Sequence, residues 1–121
     1  HLVEAGADMF LMPSRFEPCG LNQMFSQRYG TVPIIHRTGG LADTVMDALP
    51  GQLKKATGIS FDLTDAGALL EAVKRAWLLY DRPPVWRQLQ QSGMKKDFSW
   101  HRSAEDYSRL YQQALTDCSR K

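Results

Sequence analysis

Residues 9–45 read MFLMPSRFEPCGLNQMFSQRYGTVPIIHRTGGLADTV, and this stretch decides the fold. It opens on Met9-Phe10-Leu11-Met12, an apolar run bounded by Asp8 and Pro13. The run is too short for a helix and suits a strand buried on both faces of a parallel sheet. A polar loop, Pro13 to Cys19, ends at Gly20 and leads into a helical stretch, Leu21 to Tyr29. Leu21, Met24, Phe25 and Arg28 recur there at helical spacing, and Gly30 closes the segment. Val32-Pro33-Ile34-Ile35 is a second buried strand, with Pro33 near its start, where the missing N–H is tolerable. A second loop, Arg37-Thr38-Gly39-Gly40, precedes a short helix expected over Leu41 to Ala48.

Strand, loop, helix, strand, loop, helix is a βαβ pattern, which implies a parallel sheet with right-handed crossovers. Upstream, Leu2 to Ala7 reads as a helix end. Downstream, residues 50–57 read as a surface loop and Gly58 to Phe61 as a third strand. Thr64 or Asp65 caps an amphipathic helix whose stripe is Leu69, Leu70, Val73, Ala76, Trp77 and Tyr80. Pro83-Pro84 breaks it, and Pro84 fits the first turn of a helix over Val85 to Ser92. Ser99 caps a last helix, 99–116, with its stripe at Trp100, Ala104, Tyr107, Tyr111 and Ala114. The fold class is therefore α/β: part of a Rossmann-like parallel sheet with flanking helices. Three strands are too few for a complete doubly wound sheet, and the chain begins without Met, so a fragment of a larger protein is expected.

Composition narrows the function classes. With 43% hydrophobic and 23% charged residues in 121, the chain has the balance of a folded globular domain. A net charge of +2 with scattered Lys and Arg argues against nucleic acid. No apolar run approaches the ~20 residues of a membrane span. Cys19 and Cys118 lie far apart in unlike contexts, and His1, His36 and His101 share no ligand spacing. No metal site and no cofactor are expected, and a reduced, cytoplasmic compartment is the simpler reading.

In an open α/β sheet, ligands sit beyond the carboxyl ends of the strands, and loops 13–20 and 36–40 both fall on that edge. Free amides at Gly20, Leu21 and Asn22 would face out at the positive end of a helix dipole, which favours a phosphate. Gly20 can equally start a helix and touch nothing. Glu17 could accept hydrogen bonds from sugar hydroxyls or balance positive charge at an anomeric carbon; a solvated loop acid is the bland alternative. Cys19 reads as small buried packing in preference to a reactive thiol. Arg15 could meet a phosphate or pair with Glu17 or Asp43. Thr38-Gly39-Gly40 either lets backbone pass close to a ligand or makes a tight turn. Asp43 and Thr44 look like residues of a helix start.

Residues 13–45 closely resemble bacterial glycogen synthases and plant starch synthases: PSRFEPCGL, then a YGT-P segment, then TGGLxDTV. TGISF, WLLYDRPPVWRQLQ and DFSW at 97–100 extend the resemblance over nearly the whole chain. It implies the C-terminal domain of a GT-B fold, with residues 1–121 as the donor-binding half of a glycosyltransferase. The implied activity is retaining transfer of glucose from ADP-glucose to the non-reducing end of an α-1,4-glucan, without a metal.

By that resemblance Glu17 holds the donor glucose through its hydroxyls. The amides of Leu21 and Asn22 after Gly20 bind the distal phosphate, and the backbone of Cys19 lies beside the transferred sugar. Thr38, Gly39 and Gly40 line the same cleft. The last helix crosses back to brace the N-terminal domain. That domain, with its Lys-x-Gly-Gly-Leu loop and phosphate-clamping basic residues, is a further expected partner and lies outside these residues, so the chain alone is expected to be inactive. A UDP-glucose donor, or a binding module without catalysis, remain the competing readings.

Overall fold

The computed structural model describes residues 1–118. The last three residues of the expected 1–121 domain fall outside them. The elements in chain order are α1 (Leu2–Gly6), β1 (Met9–Met12), α2 (Asn22–Tyr29), β2 (Val32–His36) and α3 (Gly39–Thr44). They continue with β3 (Ile59–Phe61), α4 (Ala66–Tyr80), α5 (Pro83–Met94) and α6 (Trp100–Cys118). The three strands form one parallel sheet in the order β1-β2-β3, with Leu11 opposite Ile34 and Ile35 opposite Ser60.

Alternation along the strands divides the core in two. Val32, Ile34, Ile59 and Phe61 face α4 and α5, where Ala72, Ala76, Trp86 and Leu89 complete one cluster. Met12 and Ile35 face the opposite way and pack with Leu41 and Val45, with Phe10 at the margin. Ile35, Leu41 and Ile59 are wholly buried, each contributing about 1.5–3 kcal/mol over an exposed side chain. β2 is buried along its whole length, as a central strand covered on both faces must be.

The local signals place most boundaries. Gly30 closes α2 in the left-handed region, at φ 82°. Asp65 caps α4 by accepting a hydrogen bond from the Ala68 amide, so of the two expected caps Asp65 holds the position. Pro83 and Pro84 occupy the first turn of α5, which starts two residues earlier than expected and runs on to Met94.

Three expectations are corrected. α3 starts at Gly39, not Leu41, and ends at Thr44; beyond it Asp47 pairs with Gly58 as an extended parallel bridge. Asp43 and Thr44 therefore end a helix instead of starting one. The buried face of α2 is Gln23, Ser26 and Gln27, whereas Leu21 and Phe25 are exposed. On α4, Ala72 and Ala76 are the buried residues, while Leu70 and Trp77 are exposed. Small side chains let α4 lie close to β3, and the larger ones are carried to its flanks.

α6 stands apart from this body, with no buried residue. The hydroxyl of Ser99 accepts from the Arg102 amide at 3.5 Å. Its apolar stripe is exposed along its length, Trp100 at 88% and Tyr111 at 65%. No helix of the described residues is long and apolar enough to cross a membrane.

Candidate active-site edge

The two irregular loops leave β1 and β2 at their carboxyl ends and meet there. Their contact is backbone on backbone. The Gly40 amide donates to the Glu17 carbonyl at 3.3 Å. A Cβ on Gly39 would stand 1.9 Å from the Glu17 carbonyl oxygen, and one on Gly40 would stand 2.2 Å from that of Cys19. Both glycines are thus required because loop 13–20 crosses the first turn of α3 with no room for a side chain. The backbone that passes close to Thr38-Gly39-Gly40 is the chain's own. Gly39 has φ +46° and Gly20 φ +70°, both in the region glycine favours. Thr38 precedes α3 in extended conformation without a side-chain cap, its carbonyl accepting from Leu41.

His36, the last residue of β2, ties the edge together from beneath. Its Nδ1 lies 2.7 Å from the Ser14 carbonyl, and its Nε2 lies 3.1 Å from the Asp62 carbonyl and 3.3 Å from the Thr64 hydroxyl. One buried ring thereby links the loop after β1 to the loop after β3. Arg37, the next residue, pairs with Asp62 at 2.6 Å on the surface.

At the start of α2, the amides of Gly20, Leu21 and Asn22 have no hydrogen-bond partner among the described residues. They lie at the positive end of the helix dipole. Glu17 is half-buried, and its carboxylate has no hydrogen-bond or ion-pair partner among the described residues. Arg15 pairs with neither Glu17 nor Asp43. The Cys19 side chain is exposed, not buried as packing. What is drawn inward at Cys19 is its carbonyl, which accepts from the Gln23 carboxamide at 3.3 Å and leaves the thiol on the outside. The edge therefore brings together an unpaired carboxylate, three unpaired amides and a glycine turn within two touching loops. No group of three or more His, Cys, Asp or Glu among the described residues is placed to hold a metal.

The residues beneath this edge escape a reading by apolar periodicity. Gln23, Gln27, Thr44 and His36 are polar, and all four bridge segments far apart in sequence. Their signal is the spacing 23, 26, 27, a second helical stripe on α2 beside the apolar one.

Curated relatives resemble the chain over nearly all of it. Glycogen synthase 1 of Methylococcus capsulatus is 62% identical over 117 residues, 95% of this chain and 24% of that protein. The glycogen synthase of Thioalkalivibrio sulfidiphilus is 58% identical over 118 residues, 96% of this chain and 24% of that protein. The chain therefore spans about a quarter of the length of these relatives. Among solved structures, the catalytic domain of starch synthase IV from Arabidopsis thaliana, bound to ADP and acarbose, aligns with TM-score 0.76. Its identity is 38%, over 94% of this chain and 24% of that one. A sucrose-phosphate synthase from Thermosynechococcus elongatus aligns with TM-score 0.66 at 28% identity, over 96% of this chain and 27% of that one. No protein-family model matches the chain.

Proposed function

The chain belongs to the glycogen and starch synthase family, and we propose that it forms the donor-binding side of a retaining glucosyltransferase of the GT-B type. The reaction is transfer of glucose from ADP-glucose to the non-reducing end of an α-1,4-glucan, in the cytoplasm. Residues 1–121 are the C-terminal, donor-binding part, and the rest of the cleft comes from polypeptide outside them. The apolar stripe of α6 then packs against that polypeptide.

The observation that carries this reading is the pairing of the half-buried, unpartnered Glu17 with the unbonded amides of Gly20, Leu21 and Asn22 on one sheet edge. A nucleotide sugar presents both complements: hydroxyls for a carboxylate and a diphosphate for amides at a helix N-terminus. Glu17 accepts hydrogen bonds from the glucose hydroxyls and offsets positive charge as the anomeric centre opens. The amides take up the negative charge that grows on the departing diphosphate. Cys19 meets the sugar through its backbone, and Thr38, Gly39 and Gly40 line the cleft where loop 36–40 supports loop 13–20.

Replacing Glu17 by Gln or Ala in the full-length protein tests the reading, with transfer from ADP-glucose onto a glycogen primer as the assay. The expected result is a fall in kcat of about 10²-fold or more, with far weaker turnover of UDP-glucose by the unaltered protein. Glu17→Ala activity within a few-fold of the unaltered protein would remove Glu17 from the site.

A further inference from the structure

α2 turns a polar face inward, and the wholly buried Gln23 is its centre. The Gln23 Nε2 group shares its two hydrogens among three acceptors: the Cys19 carbonyl at 3.3 Å, the Gly20 carbonyl at 2.9 Å and the Thr44 hydroxyl at 3.0 Å. The Thr44 hydroxyl itself donates to the Gly40 carbonyl at 2.7 Å, so toward Gln23 it accepts. All three neighbours accept, which fixes the carboxamide with its nitrogen toward them. Gln27 seconds the arrangement, donating to the carbonyls of Gln23 and Thr44 at 3.2 Å each.

Peptide planarity gives this a consequence. In a trans peptide the carbonyl of one residue and the amide of the next point in opposite directions. A Cys19 carbonyl held inward turns the Gly20 amide outward, and a Gly20 carbonyl held inward turns the Leu21 amide outward. No bond from Gln23 to a ligand is needed. The same contact keeps two carbonyl dipoles from presenting negative ends to an anion.

A side chain present only to fill space would not need an amide here. The Gln23 Oε1 is buried without a hydrogen-bond partner among the described residues, a cost an apolar side chain of similar size would avoid.

We propose that Gln23 is a positioning residue for the distal phosphate of a nucleoside diphosphate. It locks the 19–21 peptides so that their amides face the ligand, and through Thr44 it holds this turn in register with α3. The proposal rests on the donor-site reading above.

Gln23→Met in the full-length protein keeps the volume and removes the donor. Calorimetric titration with ADP and with AMP, together with the KM for ADP-glucose, reads the effect. ADP affinity should fall about tenfold and KM for ADP-glucose should rise in parallel, the worth of a charge-assisted hydrogen bond. AMP affinity and the KM for glucan should not move. Equal weakening of ADP and AMP, or no change in either, overturns the proposal. Should Gln23→Met fail to fold, Thr44→Val removes one of the three anchors and is read in the same way. There a several-fold loss confined to ADP supports the proposal, and any other pattern refutes it. If the unaltered protein binds ADP no more tightly than AMP, the donor-site reading itself fails. ADP preference with an indifferent Gln23 sinks only the positioning role.

Discussion

Gly40→Ala isolates the contact between the two loops better than any substitution of a polar side chain. The new Cβ would lie 2.2 Å from the Cys19 carbonyl oxygen and 2.8 Å from both its carbonyl carbon and its Cα. All three atoms belong to backbone, so no side chain can swing aside. Relief to 3.0 Å, the shortest separation real Cβ atoms show, requires the loops to part by roughly 0.8 Å. Gly40 has no positive φ, so backbone strain adds nothing and the effect is steric alone. Overpacking of this kind costs about 1–3 kcal/mol of stability. The functional loss should be larger, because Glu17 and the amides after Gly20 ride on the displaced loop. A misplacement near 1 Å costs on the order of 10²-fold in rate.

The assay is kcat and KM for ADP-glucose in the full-length protein, beside thermal unfolding. Gly51→Ala serves as the control. Gly51, unlike Gly40, has positive φ, at 82°, and no atom lies within 4 Å of its Cβ position, so it reports the stability cost of a strained glycine-to-alanine change without displacement of the loops. That strain is about 1–2 kcal/mol and should leave transfer kinetics unchanged. A Gly40→Ala protein with unaltered kcat and KM would refute the inference that the loops support one another.

Two further outcomes concern the scaffold. Leu89, 1% exposed on α5 against the sheet, should cost about 2–5 kcal/mol when cut to alanine, read from urea unfolding of this domain; a loss below about 1 kcal/mol would mean that α5 is not fixed to the core. Asp97 accepts hydrogen bonds from the Ser99 side chain and from its amide, the latter at 2.9 Å, and these, with Arg102 and His101 nearby, hold its carboxyl below the usual carboxylate range against the opposing effect of desolvation. A lowered folded-state value means that ionised Asp97 stabilises the entry to α6 above its unfolded value of about 4 and that this contribution fades as pH falls below it. The protection of the amides at residues 99–103, taken relative to their intrinsic exchange at each pH, should therefore fall in acid, and Asp97→Ala should leave it low and flat across that range.

The parts of the fold legible in sequence are those set by apolar alternation or by a local stop. β1 lies where Asp8 and Pro13 bound four apolar residues, and Gly30 ends α2 where a left-handed residue is needed. β2 runs one residue beyond the apolar run, because His36 stays in register with Phe61 and its ring finds carbonyls on both sides. The start of α3 was not legible. Two glycines are poor helix formers, and only the crossing backbone of residues 17–19 explains why they open one.

The reversal on α2 has a deeper cause. Periodicity marks the face that buries apolar surface, and it is silent when a helix buries polar groups to satisfy a neighbouring loop. Loop 13–20 carries carbonyls that no strand or helix can pair, and in this fold they face α2 and α3. Gln23 and the Gly40 amide meet that demand, the first at the Cys19 and Gly20 carbonyls and the second at that of Glu17. Leu21 and Phe25, left outside, are the residues a hydrophobic reading would bury. A ligand-facing loop needs its amides free toward the ligand, so its carbonyls need partners behind it. The polar inner face of α2 follows from the edge it supports, which is why the Pro13–Asp43 stretch shows its proposed donor chemistry in the loop and conceals its support in the helix.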